Sequence, residues 1–309
     1  MGPQPCSEAR VAEADWYAIV LSWNGREDTE RCLDALAKVR EPPVRIFCVD
    51  NGSTDGSVEA VRGHHRETLL IENGRNLGFA GGCNVGIRRA LADGAEWVVL
   101  VNNDAVIAPD ALAGFAAAAE HHPDAGVLAG KLYRADRPDR IWYAGQRFLA
   151  WLGYSGRHRG EGRRDGPRYE RLVATDRANG ALMAISRGAI ERVGLLDEEL
   201  FAYVEDVDYS LRARAAGFEV LFVPAARAWH RVGASSTSAA LNSYYGTRNM
   251  VVVCERHRPL PPPLSWLRRG VILLTFSAFA LRQPNRRAAL GAVRAGYRDA
   301  RAGRLGPRQ

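Results

Sequence analysis

The chain has 309 residues, 47% apolar and 25% charged, which suits one globular domain with an appendage and excludes wholesale disorder. Its net charge of +7 is uneven: from Arg256 onward twelve arginines face one acid, Asp299, and the preceding body is mildly acidic. Such a body lacks the basic face of a nucleic-acid reader, so no nucleic-acid partner is expected.

Residues 1–14 predict a disordered leader, with no apolar core of a signal peptide. Tyr17–Trp23 reads as a buried strand, Thr29–Val39 as a helix, Arg45–Val49 as a second strand and Thr68–Ile71 as a short third. Gly82–Ala92 is helical, Trp97–Val101 is a strand, and Pro109 opens a helix over Asp110–His121. Strands alternating with helices predict an α/β fold with a mostly parallel sheet covered on both faces. Ala125–Tyr133, Ile141–Leu149 and Leu172–Thr175 read as strands of a mixed second half, and Gly153–Pro167 as a mobile loop. Val220–Pro224 is strand-like. Helices are expected at Glu205–Ala216, Ser238–Glu255, Leu264–Leu281 and Arg286–Ala300, with a proline break at 259–263. The five cysteines, Cys6, Cys32, Cys48, Cys83 and Cys254, form no C-x-x-C and predict a reducing compartment.

No Walker loop, strand-borne G-x-G-x-x-G, nucleophile elbow or H-E-x-x-H occurs. Five other segments carry chemistry. Val49–Ser57 (VDNGSTDGS) follows a strand, where α/β sheets bind ligands; Asp50 can accept hydrogen bonds from a nucleoside, or the segment is simply a turn. Arg75–Asn84 is glycine-rich, and the helix after it can offer free N–H groups to phosphate, or it is only a loop. Leu100–Asp104 delivers Asn102, Asn103 and Asp104 at a strand end, as a cation site or an Asx turn. Phe201–Arg212 opens a helix with three carboxylates, which the helix dipole favours in any case; Glu205 and Asp206 point in different directions, and one of them suits a general base. His230 in Ala228–Arg231 can complete a metal shell or be structural.

In order and content these segments resemble glycosyltransferase family 2, in particular its bacterial rhamnosyltransferase-like branch. The matching residues are VLSWNG at 20–25, VDNGSTDGS at 49–57, NLGFAGGCNVG at 76–86, LVNNDA at 100–105, ANGALMAISR at 178–187, FAYVEDVDYSLRARAAG at 201–217, AWHRVGASS at 228–236 and YYGTRNM at 244–250. The resemblance covers residues 16–257. It implies a GT-A fold over 15–257, a nucleotide-diphospho-sugar donor, a divalent cation (Mg²⁺ or Mn²⁺) and inversion at the anomeric carbon. Carried over by position, Asn24, Asp50, Asn76, Gly78, Asn102, Asn103 and Gly180 would bind the donor. Asp104 and His230 would hold the metal, and Asp206, with Glu205 beside it, would be the catalytic base. Asn102 stands where many relatives carry an Asp, which leaves most of the metal binding to Asp104. The acceptor would be a cell-surface glycan or a lipid-linked saccharide.

Two other classes remain compatible. A nucleotidyltransferase would need a basic segment by its first strand, where Trp23–Arg26 supplies one arginine. A non-catalytic nucleotide-sugar-binding module would not need Asp104, Asp206 and His230 together.

Residues 258–309 read as a basic amphipathic helical tail. Its longest apolar run, Gly270–Leu281, is short of the roughly 20 residues of a bilayer span. The expectation is that 264–281, with Trp266 and flanking Arg268, Arg269 and Arg282, meets an anionic membrane surface from the cytoplasmic side. The alternative is a helix packed on the body.

Overall fold

A computed structural model describes residues 15–149, 152–154, 157–232 and 239–308. The leader at 1–14, the Ser-rich residues 233–238 and Cys6 fall outside them.

Strand β1 (Trp16–Ser22) is followed by α1 (Arg26–Leu36), β2 (Val44–Asp50), α2 (Ser57–His64), β3 (Leu69–Glu72), α3 (Gly78–Ala92) and β4 (Trp97–Asn102). The second half runs β5 (Ala105–Ile107), α4 (Ala111–His121), β6 (Ala125–Arg134), β7 (Arg137–Tyr143), β8 (Val173–Ala174), β9 (Leu182–Ser186), α5 (Arg187–Val193), α6 (Glu205–Ala215) and β10 (Glu219–His230). Three helices end the chain: α7 (Ala239–His257), α8 (Pro262–Leu281) and α9 (Arg286–Arg301).

One sheet has the order β3-β2-β1-β4-β9-β6-β10-β5, with β7 beside β6 and β8 beside β10. The first four strands in the order are parallel, and the central pair β1 and β4 carry the apolar runs of strands buried on both faces. Tyr17, Ala18, Ile19 and Val20 are all buried, and Trp16 stacks on Trp97 across the β1–β4 pair at 5.3 Å. From β9 onward the sheet is mixed: β9 runs antiparallel to both β4 and β6, whereas β6 and β10 are parallel.

Several elements depart from expectation. Strands β5 and β9 and helices α2 and α5 are additional. Leu182–Ser186 is short, with four consecutive apolar residues before the serine, a pattern without period. The third helix begins at Gly78, so the glycine-rich stretch is its first turn and not a loop. Strand β7 lies upstream of its expected range, because Arg137–Arg140 pairs as an exposed edge. Residues 157–167 form no free loop either: Gly162 N–H donates to Ile141 O at 2.8 Å, Ile141 N–H to Arg163 O at 2.9 Å and Arg159 N–H to Gly145 O at 2.9 Å. The buried Lys131 ties Asp165 and Glu170 down at 2.9 and 2.5 Å. Residues 155–156 lie outside the described residues.

The helix containing the apolar run 270–281 is 20 residues long and, by length and composition alone, enough to cross a membrane. It packs against α7 and α9. Phe276 lies so close to Gly246 of α7 that a Cβ there would meet its ring at 2.5 Å.

Candidate active site

The strand register collects the site on one edge of the sheet. Ser22 lies opposite Asp50, Leu21 opposite Asn102, and Val101 opposite Leu182, so the carboxyl ends of β1, β2 and β4 meet the start of β9. At the same edge β10 ends at His230, opposite Ala105 of β5. Ligand sites of open α/β sheets form at such strand ends.

Asp104 is buried, and neither carboxylate oxygen accepts a hydrogen bond. His230 Nε2 stands 3.0 Å from Asp104 Oδ1, without hydrogen-bonding alignment, and His230 Nδ1 is also without a partner. Asn102 Oδ1 and Asp50 Oδ1 are two more buried acceptors left unpaired. Buried polar atoms are normally satisfied, so four residues short of partners along one edge mark a place built for something else.

The other oxygen of Asp50 accepts from the N–H groups of Gly52 and Ser53 at 2.9 and 3.0 Å. The turn reading and the ligand reading of Asp50 therefore coexist, one on each oxygen. Asn24 and Asn76 are already engaged. Asn24 Oδ1 accepts from Thr54 N–H at 2.8 Å, and Asn76 Oδ1 from Gly78 N–H at 2.8 Å. Asn103 Nδ2 donates to Thr29 Oγ1 at 3.0 Å and so faces α1.

The start of α3 is closed to phosphate. Its amides at Phe79 and Ala80 donate to Phe201 O at 2.6 and 3.3 Å, and Leu77 N–H donates to Asn51 Oδ1 at 3.4 Å. Gly78 has φ +77°, and a Cβ there would sit 2.4 Å from the same Phe201 oxygen. The glycine admits the 201 turn, not a ligand.

That turn leads into Glu205 and Asp206. Phe201, Tyr203 and Val204 all have positive φ, 63°, 65° and 75°, a strained conformation for side chains of this kind. Asn249 of α7 holds them there: its Nδ2 reaches the carbonyls of Leu200, Ala202 and Tyr203 at 2.8, 2.9 and 2.7 Å. Arg248, fully buried, donates to Leu200 O at 3.0 Å and to Gly306 O at 2.6 Å. Both residues stand in YYGTRNM, a segment without an assigned role in the sequence reading, since nothing local relates positions 200 and 249. Further along α6, burial raises the Asp208 carboxyl, but His257 at 2.7 Å and Arg212 outweigh it and hold it below its ordinary range.

Glu205 and Asp206 diverge, as adjacent residues should. Asp206 Oδ2 accepts from Arg177 Nε and Nη2 at 3.1 and 2.6 Å and from Gly180 N–H at 3.1 Å; Oδ1 accepts from Val207 N–H at 2.7 Å. Gly180 thus joins Asp206 to the sheet edge. Glu205 points into the protein with Oε2 unpartnered, and burial, then the Asp206 charge, pushes its carboxyl up to about 8. Arg177 was not singled out from the sequence; only the fold brings it to Asp206.

Two clefts open at the strand ends, and Asp104 lines the second of them. One, of about 370 Å³, lies along Trp23–Asp28 with Asp55; the other, of about 480 Å³, runs between Asp104, Val106, Pro138 and Trp229. Both are lined by Asp28, Asn103 and Arg231, and Arg231 is ion-paired with Asp28. Asp206 lines neither. No group of three His, Cys, Asp or Glu side chains is gathered for a metal among the described residues.

Comparison with known proteins shows the family and the fold. The chain is 30% identical over 283 residues to the N-acetylglucosaminyl-diphospho-decaprenol L-rhamnosyltransferase of Mycobacterium tuberculosis, covering 83% of this chain and 90% of that protein. It is 24% identical over 254 residues to the dTDP-rhamnosyl transferase RfbF of Shigella flexneri, covering 79% and 81%. Its fold matches the mannosyltransferase PcManGT from Pyrobaculum calidifontis, solved with GDP-Man and Mn²⁺, with a TM-score of 0.56 at 20% identity over 93% of this chain and 75% of that one. The architecture is GT-A, and since the model of glycosyl transferase family 2 matches residues 17–193, the chain belongs to that family.

Proposed function

We propose that the chain is an inverting glycosyltransferase that moves a sugar, rhamnose in the first instance, from a nucleotide-diphospho-sugar to a hydroxyl of a lipid-linked saccharide or cell-surface glycan. The observation that carries the donor side is the buried Asp104 carboxylate, free of hydrogen bonds and 3.0 Å from His230. The names of the two bacterial relatives support rhamnose, and the first supports a polyprenyl diphosphate acceptor.

Asp104 and His230 fit a divalent cation as a two-residue shell of one carboxylate and one imidazole, whose other positions the donor diphosphate and water would fill. Such an ion offsets the negative charge that builds on the departing nucleoside diphosphate. Asp50 Oδ1 and Asn102 Oδ1 accept hydrogen bonds from the donor's nucleoside and sugar hydroxyls. Asp206 takes the acceptor's proton as that oxygen attacks from the face opposite the leaving group. Before it can do so, Arg177 and Gly180 hold the carboxylate in a fixed position. General-base help of this kind is worth about 10²–10⁴-fold. Glu205, with its carboxyl pushed up to about 8, is largely protonated at pH 7 and leaves the base role to Asp206. The basic tail brings the enzyme to an anionic membrane surface, on the cytoplasmic side where nucleotide sugars are made.

The test is a panel of nucleotide sugars with Mg²⁺ or Mn²⁺, read as released nucleoside diphosphate and as the anomeric configuration of the product. Turnover with dTDP-rhamnose, inverted product and loss of rate in EDTA are expected. Full rate in metal-free buffer removes the metal role of Asp104, and a retained configuration removes the single displacement.

A further inference from the structure

We propose that α8 lies flat in the surface of an anionic phospholipid membrane, seated by its outward apolar face, and does not cross the bilayer. This deepens the membrane reading above, but it stands on the surface of the helix and not on the reaction.

Length and composition would let α8 span, since about 20 residues suffice. Its packing argues against that. Ser265, Arg268, Ile272 and Ala280 form a buried inner face. Arg268 is 2% exposed, and its Nη1 donates to Arg258 O at 2.7 Å. Arg269 Nη2 pairs with Glu255 of α7 at 2.6 Å. These two arginines, which the sequence set toward lipid, face the protein. A spanning α8 would have to leave α7 and α9 and carry Arg268 into hydrocarbon.

The opposite face is unlike the surface of a soluble monomer. Leu264, Leu267, Val271, Leu274, Ala278 and Leu281 follow one another at alternating steps of three and four, which places them in one stripe. Leu274 is 72% exposed, Leu267 57%, Leu281 56% and Leu264 51%, with Trp266 at the side of the stripe 67% exposed. Single exposed leucines need no explanation, but a continuous row of them does.

Charge selects the occupant. Arg282, Arg286 and Arg287 follow directly on the stripe, exposed and without a carboxylate partner among the described residues; Arg294 and Arg301 of α9 are likewise exposed and unpaired. The single acid beyond position 257, Asp299, is tied to Tyr244 and Arg304. A second copy packed through the same two helices would bring the same cations and, beyond position 257, only the already paired Asp299. An anionic leaflet offers an apolar interior beneath opposite charge, which suits both features at once.

The experiment is sedimentation of the full-length protein with vesicles of phosphatidylcholine alone or mixed equally with phosphatidylglycerol. Binding is expected to the mixed vesicles, to fall at least about tenfold without phosphatidylglycerol, and to weaken in about 1 M NaCl, where the Debye length is about 3 Å. Alkaline carbonate should release it. Leu267→Asp with Leu274→Asp should lower binding at least about tenfold, with thermal stability unchanged because both positions are exposed. The proposal is overturned if the protein stays in the supernatant, if the double variant sediments like the parent, or if carbonate leaves it in the pellet as a spanning helix would be. A solution dimer that the double variant dissociates would overturn it in favour of a second copy. Release of nucleoside diphosphate is followed separately without vesicles, so failure of the glycosyltransferase reading leaves this result standing.

Discussion

At the scale of single residues, the two carboxylates that open α6 have been given opposite environments. Asp206 is held by Arg177 and two backbone amides, while Glu205 is buried beside the Asp206 charge and its carboxyl is pushed up to about 8. Asp206→Asn is expected to lower kcat by at least about 10², with nucleoside diphosphate affinity unchanged. It also strands the largely buried Arg177, and removing one member of a buried pair costs about 3–5 kcal/mol, so affinity must be measured on folded protein. More than a tenth of the parental kcat would take the base role from Asp206. For Glu205 the expectation concerns pH. Its carboxyl titrates from an ordinary 4.5 when unfolded to about 8 when folded. Over that window the unfolded state holds fewer protons than the folded one, so stability falls as pH rises. Glu205→Gln has nothing to titrate. Its melting temperature should gain on the parent between about pH 5 and about pH 9, and parallel curves would show that Glu205 ionises normally.

At the scale of elements, the catalytic turn is a joint product of α3, α6 and α7. Phe201 O caps α3, and Asn249 caps the turn itself. Gly78→Ala should be destabilising by roughly 1–3 kcal/mol or more, since a side chain at φ +77° is strained and its Cβ meets the Phe201 oxygen. Asn249→Ala removes one hydrogen bond from each of three carbonyls, of which Leu200 O keeps Arg248, and should cost about 1–3 kcal/mol, with a fall in kcat as the strained residues relax. Parental kcat in a destabilised Asn249→Ala would mean that the turn keeps its shape unaided. Much of this was legible as pattern: parallel strands from apolar runs, α4 from its proline, the site from strand ends. The roles of Asn76 and Gly78 were not, because a capping residue and a ligand-binding residue look alike until the partner atom is known.

At the scale of the whole molecule, the last helices bear on the site as well as on the surface. Arg248, which holds the 200 turn, is itself held by Gly306 O, and Gly306 N–H donates to Glu199 O at 2.7 Å. Val293 and Ala289 of α9 pack with Ala280 of α8, and Ile272 packs with Val251 and Cys254 of α7. Deleting residues 259–309 should therefore lower thermal stability and transfer rate even without any membrane, because it bares the buried face of α7. A truncated protein with the parental melting temperature would show the tail to be detachable.

What the sequence by itself determined is the family layout: the α/β alternation, the motifs and their order, and hence Asp50, Asp104, Asp206 and His230 as the residues to watch. Chemistry at strand ends depends on residue type and spacing, and both are written in the chain. Tertiary structure decided which of these side chains are still free to act. It left the Asp104 carboxylate without a hydrogen bond but gave Asp206 to Arg177, spent Asn24 and Asn76 on the backbone, and turned Arg268 inward while leaving Leu274 outside. A hydrogen bond or a buried face is a relation between residues far apart in the chain, and it exists only once the sheet and the helices have fixed their distance.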